Sequence, residues 1–174
     1  TPAGVATTLV DASEVCGLLD GTVSAPFSCG PSAIAIDGAG NVYVVYDRIL
    51  KISPSGSITV LLDTLGITSM YDRPTGIAFD GTDNIYVATA SAIRKVTPAG
   101  VVTVFAGDPS TSGSADGNGA SARFREIAGL ATDTAGNVYV AESGNNTIRK
   151  ITPDGVVTTL TGTAGLNGSV DGIG

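Results

Sequence analysis

One segment, residues 129–162, reads GLATDTAGNVYVAESGNNTIRKITPDGVVTTLTG, and two weaker copies of it lie upstream. A chain made of such copies folds as a stack of similar units, each burying its apolar surface against the next. Within the segment, four short runs of strand-forming residues (129–132, 138–141, 147–151 and 156–160) are separated by turn chemistry, which predicts a four-stranded meander. Asp133-Thr134-Ala135-Gly136-Asn137 offers a side chain to cap a turn and residues that tolerate positive φ. Thr152-Pro153-Asp154-Gly155 places proline where φ is fixed and glycine where the chain reverses. The middle break, Glu142-Ser143-Gly144-Asn145-Asn146, is longer and polar, as suits a loop in water. The second run, Val138-Tyr139-Val140-Ala141, is apolar throughout, so that strand is covered on both faces by neighbouring units.

Asn41, Asn84 and Asn137 fall in register, 43 and then 53 residues apart, each preceded by an aspartate four residues earlier: Asp37, Asp80 and Asp133. Lys51, Lys95 and Lys150 share one strand position, and Ser53-Pro54-Ser55-Gly56, Thr97-Pro98-Ala99-Gly100 and Thr152-Pro153-Asp154-Gly155 mark one turn. A period in the forties with four strands is the pattern of a β-propeller blade, and the extra ten residues fall in the connector before the third copy. The expected organisation is one all-β unit over 1–174: an outer strand and connector over 1–30, blades over 31–62, 74–107 and 127–162, and the start of a further connector over 163–174.

The ends cut across this unit. Residues 1–23 align without a gap on residues 152–174, and Asp20 precedes Asp37 by the same 17 residues as Asp116 precedes Asp133. The run 5–10 then reads as a fourth strand lacking its first three, an open edge of the kind proteins avoid. Two readings follow: a segment of a longer propeller, or a part-propeller completed by a second chain.

Composition narrows the function classes. With no histidine, a nucleophile with an imidazole base cannot be built from these residues. The nine basic residues are scattered at matched repeat positions against a net charge of -7, which offers no stripe for phosphates and excludes nucleic acid as the expected partner. No window is long and apolar enough to span a bilayer, so membrane insertion is not expected either. Asp37, Asp80 and Asp133 recur once per copy, which fits a turn role better than paired-carboxylate catalysis. Asp116-Gly117-Asn118-Gly119 and Asp171-Gly172-Ile173-Gly174 resemble pieces of calcium loops but lack the carboxylate count, so no metal and no cofactor is expected. Asn145-Asn146-Thr147 and Asn167-Gly168-Ser169 fit a glycosylation sequon, but an Asn-rich turn explains both without it and is the favoured reading. Cys16 and Cys29, thirteen residues apart in the first connector, are either a disulfide, which implies an oxidising compartment, or two buried thiols.

The strings Gly-Leu-Ala-Thr-Asp, Gly-Asn-Val-Tyr-Val-Ala and Asn-Thr-Ile-Arg-Lys-Ile-Thr-Pro-Asp-Gly, led in by Ala-Asp-Gly-Asn-Gly-Ala-Ser-Ala-Arg-Phe at 115–124, resemble the NHL repeat in its bacterial, extracytoplasmic form. The middle copy departs most, with Ser91-Ala92 where the third has Asn145-Asn146-Thr147. The resemblance implies a propeller, usually of six blades, with the first strand of each blade lining the channel and the fourth outermost. It implies that the Arg123-Phe124 pair packs the connector against the next blade, leaving Tyr71, Arg73, Arg125, Glu126, Glu142 and Asn145 as exposed binding positions on one face. The expected function is a non-catalytic, secreted or periplasmic platform recognising a protein or a glycan through those loops. The alternatives are a structural subunit of an extracellular assembly, self-associated or completed by further blades, and a lactonase- or lyase-like propeller enzyme. The small apolar first strands, such as Ser32-Ala33-Ile34-Ala35-Ile36, disfavour an acidic channel, and the missing histidines disfavour the zinc-dependent lyases.

Overall fold

A computed structural model describes residues 30–46, 48–62, 73–80 and 82–168. The outer strand expected at 5–10, the pair Cys16 and Cys29, and Tyr71 lie outside these residues. Within them the chain is all-β, with three antiparallel meanders. The first is β1 (Ala33–Ile36), β2 (Val42–Val45), β3 (Ile49–Ile52) and β4 (Ile58–Leu62). The second is β5 (Gly76–Phe79), β6 (Ile85–Ala88), β7 (Ala92–Val96) and β8 (Val102–Gly107). The third is β10 (Ile127–Thr132), β11 (Val138–Glu142), β12 (Thr147–Ile151) and β13 (Val156–Thr161), edged by a short β9 (Gly117–Asn118) and followed in space by a 3-10 turn, Gly119–Ser121. The strands predicted for the third copy agree with these to within two residues at either end. The short β9 was not foreseen: it comes from the connector and pairs Asn118 with Val156 and Gly117 with Val157, covering the outer edge of its own sheet.

The turn between the first two strands is closed the same way three times. Asp133 Oδ1 accepts from the backbone N–H of Ala135 and Asn137, and Oδ2 accepts from Asn137 Nδ2 and from the Tyr139 hydroxyl. Asp37 with Asn41 and Tyr43, and Asp80 with Asn84 and Tyr86, repeat the pattern. The residue before each Asn is left-handed, Gly40 at φ 82°, Asp83 at 63° and Gly136 at 80°. Aspartate is among the few side chains that tolerate this region, so the middle copy keeps the turn without glycine. The recurring aspartates are therefore turn residues, as the sequence suggested. The hydrogen bonds outweigh the opposing effect of burial and hold Asp80 down to about 2.

Side chains alternate between two faces of each sheet. The face turned toward the following sheet, here called forward, carries Tyr43, Tyr86 and Tyr139; the opposite face is called backward. Tyr43, Val45 and Ile49 of the first sheet form one core cluster with Ile77, Ile85, Val87 and Val96 of the second, where the Tyr43 and Phe79 rings meet edge-on at 4.6 Å. Tyr86, Ala88, Ile93 and Ala106 of the second sheet form another with Val138, Val140 and Ile151 of the third. The innermost strands β1, β5 and β10 lie side by side, and a Cβ on Gly76 would fall 2.6 Å from Leu130 Cδ2. In each sheet the last strand carries one extra residue at the matched place, Leu61, Phe105 or Leu160, which bulges it.

Candidate functional site

The connector between the second and third sheets, residues 108–126, and the β11–β12 loop form the most elaborate polar structure among the described residues. It is built around Glu142, the last residue of β11. Val138, Val140 and Glu142 alternate onto one face of that strand, and Thr147, Arg149 and Ile151 share the matching face of β12, so both charges are carried into the interior beside valine and isoleucine. Glu142 is 3% exposed and Arg149 0%.

Both are compensated. Glu142 Oε1 accepts from the backbone N–H of Arg125 at 2.8 Å and from Asn145 Nδ2 at 2.8 Å; Oε2 accepts from Thr147 Oγ1 and from Arg149 Nη1, both at 2.9 Å. Arg149 also donates to the carbonyls of Arg123 and Ala115 and to Asp116 Oδ1, the last at 2.6 Å. Four of its five N–H donors are thus used, and Nε is buried without a hydrogen-bond partner. Its guanidinium lies 5.2 Å from the centre of the Phe124 ring. Asp116 additionally accepts from Thr159 Oγ1 and N, which ties the connector to β13. Burial pushes the Asp116 carboxyl up, but bonds from Thr159 and Arg149 and the guanidinium charge hold it below its ordinary value. This calcium-loop look-alike is accordingly an anchor for an arginine.

The effect of the network is to press Phe124, 0% exposed, into the forward face of the second sheet. The receiving surface is made of small residues, and a Cβ on Gly107, at φ 88°, would fall 2.8 Å from Phe124 Cδ2. The expectation that the Arg123-Phe124 pair packs the connector against the next blade holds only in part: Phe124 shares a core with Val138, Val140 and Ile151 of the third sheet but is seated on the second, the one before the connector, and Arg123 stays within the connector, donating to the Ala120 and Ala122 carbonyls and facing Asp108 at 3.5 Å.

Of the predicted binding positions, Arg125, Glu126, Glu142 and Asn145 come together here, whereas Arg73 sits ahead of β5. Arg73, Arg125 and Glu126 are exposed as expected. Glu142 and Asn145 are not: Asn145 is 4% exposed and spends its amide on Glu142 and the Gly113 carbonyl. The correction has a physical cause, since a carboxylate left without these partners beside Val140 would carry a large desolvation cost. The same burial removes Asn145 from the reach of a glycosylating enzyme and favours the turn reading of that sequon. The exposed rim consists of Arg125, Glu126, Ser143 and Asn146. Glu126 and Asn146 adopt φ of 51° and 59°, and Ser143 bonds the Glu126 carbonyl through both N and Oγ. Arg149 was missed at the sequence level, although its alternation with Thr147 and Ile151 already placed it on an inward face.

Among the described residues no group of three or more His, Cys, Asp or Glu is placed to hold a metal ion, and no helix is long and apolar enough to cross a membrane.

The NHL repeat profile matches residues 124–151, which run from the plug residue Phe124 to the end of β12. No curated protein matches the sequence. Solved structures similar to this chain include a protein of unknown function from Bacteroides thetaiotaomicron (TM-score 0.67, 23% identity, covering 77% of this chain and 36% of that one). An auxiliary nutrient binding protein from Bacteroides ovatus is similar at TM-score 0.61 and 21% identity, over 75% of this chain and 36% of that one. A virginiamycin B lyase from Staphylococcus aureus is similar at TM-score 0.54 and 18% identity, over 80% and 43%. The chain spans less than half the length of each of these three neighbours. Four-stranded meanders packed face to face, with an Asp-Asn-Tyr turn in each and an NHL-repeat profile matching residues 124–151, give this chain an all-β propeller fold with one stretch similar to the NHL repeat.

Proposed function

We propose that the chain is a non-catalytic recognition module that binds a protein or a glycan through the connector and β11–β12 loop surface, outside the cytoplasm. The observation that carries this reading is the commitment of Glu142: its two oxygens accept four hydrogen bonds, so the one buried carboxylate of the region is spent on holding the connector. What faces solvent beside it is a rim of mixed charge and short polar side chains on a loop pinned to a rigid sheet, a surface suited to hydrogen-bonded recognition. Nutrient-binding proteins among the structural neighbours are consistent with this reading, and the lyases among them keep the enzyme reading as its rival.

Screening the purified chain on an oligosaccharide array and a protein array tests the proposal. The expected result is a ligand whose affinity falls at least about tenfold in the Arg125→Ala, Glu126→Ala double variant, with the melting temperature unchanged. A ligand indifferent to that variant overturns the choice of surface, and turnover of a lactone or a streptogramin by the chain overturns the non-catalytic assignment.

A further inference from the structure

Among the described residues, those other than glycine that adopt a left-handed backbone are Asp83 at φ 63°, Glu126 at 51° and Asn146 at 59°. Aspartate and asparagine tolerate this region through local hydrogen bonding by a short side chain; glutamate has no such compensation, and glycine would fit with less strain. Glu126 is held there from both sides. Its carbonyl accepts from Ser143 N at 3.0 Å and Oγ at 2.9 Å, the Arg125 N–H donates to Glu142 Oε1, and the Ile127 N–H donates to the Ala90 carbonyl at 3.1 Å. Gly144 lies so close that a Cβ on it would fall 2.7 Å from Arg125 Cγ and 3.0 Å from Glu126 Cβ. Strand β10 then bulges between Ile127 and Gly129, a device that re-aims the side chains around it.

The Glu126 side chain itself contributes nothing to this arrangement. It is exposed, and among the described residues its carboxylate makes no hydrogen bond and no ion pair. What glutamate adds over glycine is a carboxylate fixed on a rigid rim, and strain of this kind persists where the surroundings over-determine it and collects at ligand-binding sites. We infer that Glu126 anchors the recognition surface by receiving a basic side chain, lysine or arginine, from a protein partner, while the exposed Arg125 beside it donates to carbonyl or carboxylate oxygens of the same segment. Such a contact rests on the reading of this loop surface as a binding face, and takes a protein in preference to a glycan. Charge favours the protein: a neutral glycan offers Glu126 no cation and an acidic one the wrong sign, whereas the net charge of -7 draws a basic segment toward the chain.

Chemical-shift mapping on the isotope-labelled chain at about 0.1 M ionic strength tests this, with hexalysine, hexaglutamate and maltohexaose as probes. Hexalysine is expected to shift the amides of 125–126 and 143–146, and the other two probes are not. Glu126→Gln weakens that binding about two- to fivefold, the scale of an exposed ion pair. Asp83→Asn removes the same charge from the opposite end of β6, about 20 Å along the strand. That is beyond the screening length of about 10 Å, so binding stays within about 1.5-fold. Glu126→Gly and Glu126→Ala both delete the carboxylate, but only glycine relieves the backbone, so the glycine variant melts about 2–4 °C above the alanine one. Equal weakening by Glu126→Gln and Asp83→Asn overturns the inference, as does a Glu126→Gly chain no more stable than Glu126→Ala. Hexaglutamate or maltohexaose shifting these amides in place of hexalysine overturns the basic partner and keeps the surface; no shift there with any probe overturns both.

Discussion

On the second sheet Ala88, Ile93, Ala106 and Gly107 close around Phe124; on the third, Ala141, Ile148, Thr161 and Gly162 hold the same places around open space. The strands, the register and the bulge are alike in the two sheets. What differs is the segment that follows in space. After the second sheet comes a connector held down by Glu142 and Arg149, and its phenylalanine turns a row of small residues into a dry core. The tyrosines register the same difference. Burial, with the Asp80 charge behind it, pushes the Tyr86 hydroxyl up to about 12, whereas for Tyr139 the first cause of its upward shift is the hydrogen bond to Asp133. A blade of this type thus carries its own fold but borrows half of its core from its neighbour.

Emptying the filled socket has the largest expected effect. Phe124→Ala is expected to cost about 3–5 kcal/mol in denaturant unfolding, from lost apolar burial and the cavity left behind. A cost near that of a surface substitution would mean that the plug does not hold the second and third sheets together. Glu142→Gln comes next, at about 2–3 kcal/mol, because Arg149 keeps its burial and loses its charged partner. Pairing it with Arg149→Met should recover part of the loss, since an apolar side chain needs no counter-charge; a strictly additive double mutant in the same assay would contradict the buried-pair account.

Matched substitutions test the two sockets directly. Ala88→Leu overpacks a closed site and is expected to cost about 1–3 kcal/mol, while Ala141→Leu projects into open space in the monomer and stays within about 0.5 kcal/mol. Equal thermal shifts for the pair would erase the distinction. The smallest effect concerns the turns, which the sheets share. The folded value of Asp80, about 2, lies below its ordinary 3.8, so its contribution is present above about pH 4 and is lost as the pH falls toward 2. Urea unfolding across that range should show a shallower acid limb for Asp80→Asn than for the parent chain, and an unchanged limb would remove the aspartate from the account.

Much of the fold was legible because its signals are short-range. Asp133 meets Asn137 four residues on and Tyr139 six residues on, and the Pro-Asp-Gly turn lies within one hairpin, so spacing along the chain is spacing in the structure. The role of Phe124 was legible only through the resemblance to the NHL repeat. Glu142 and Asn145 were misplaced as exposed because loop polarity is a local signal, while their partners lie far along the chain: Gly113 is 32 residues from Asn145, and the Arg125 N–H is 17 residues from Glu142. Exposure depends on what folds over a residue, and nothing beside it in the sequence states that.

The sequence by itself determined the meanders, their turns and their repetition, since each rests on backbone preferences and side-chain contacts a few residues apart. Only the tertiary structure decided which charges are buried, which socket is filled and which is left open, because those outcomes depend on bringing together segments 17 to 53 residues apart, as with Glu142 and Arg125 or Thr132 and Phe79.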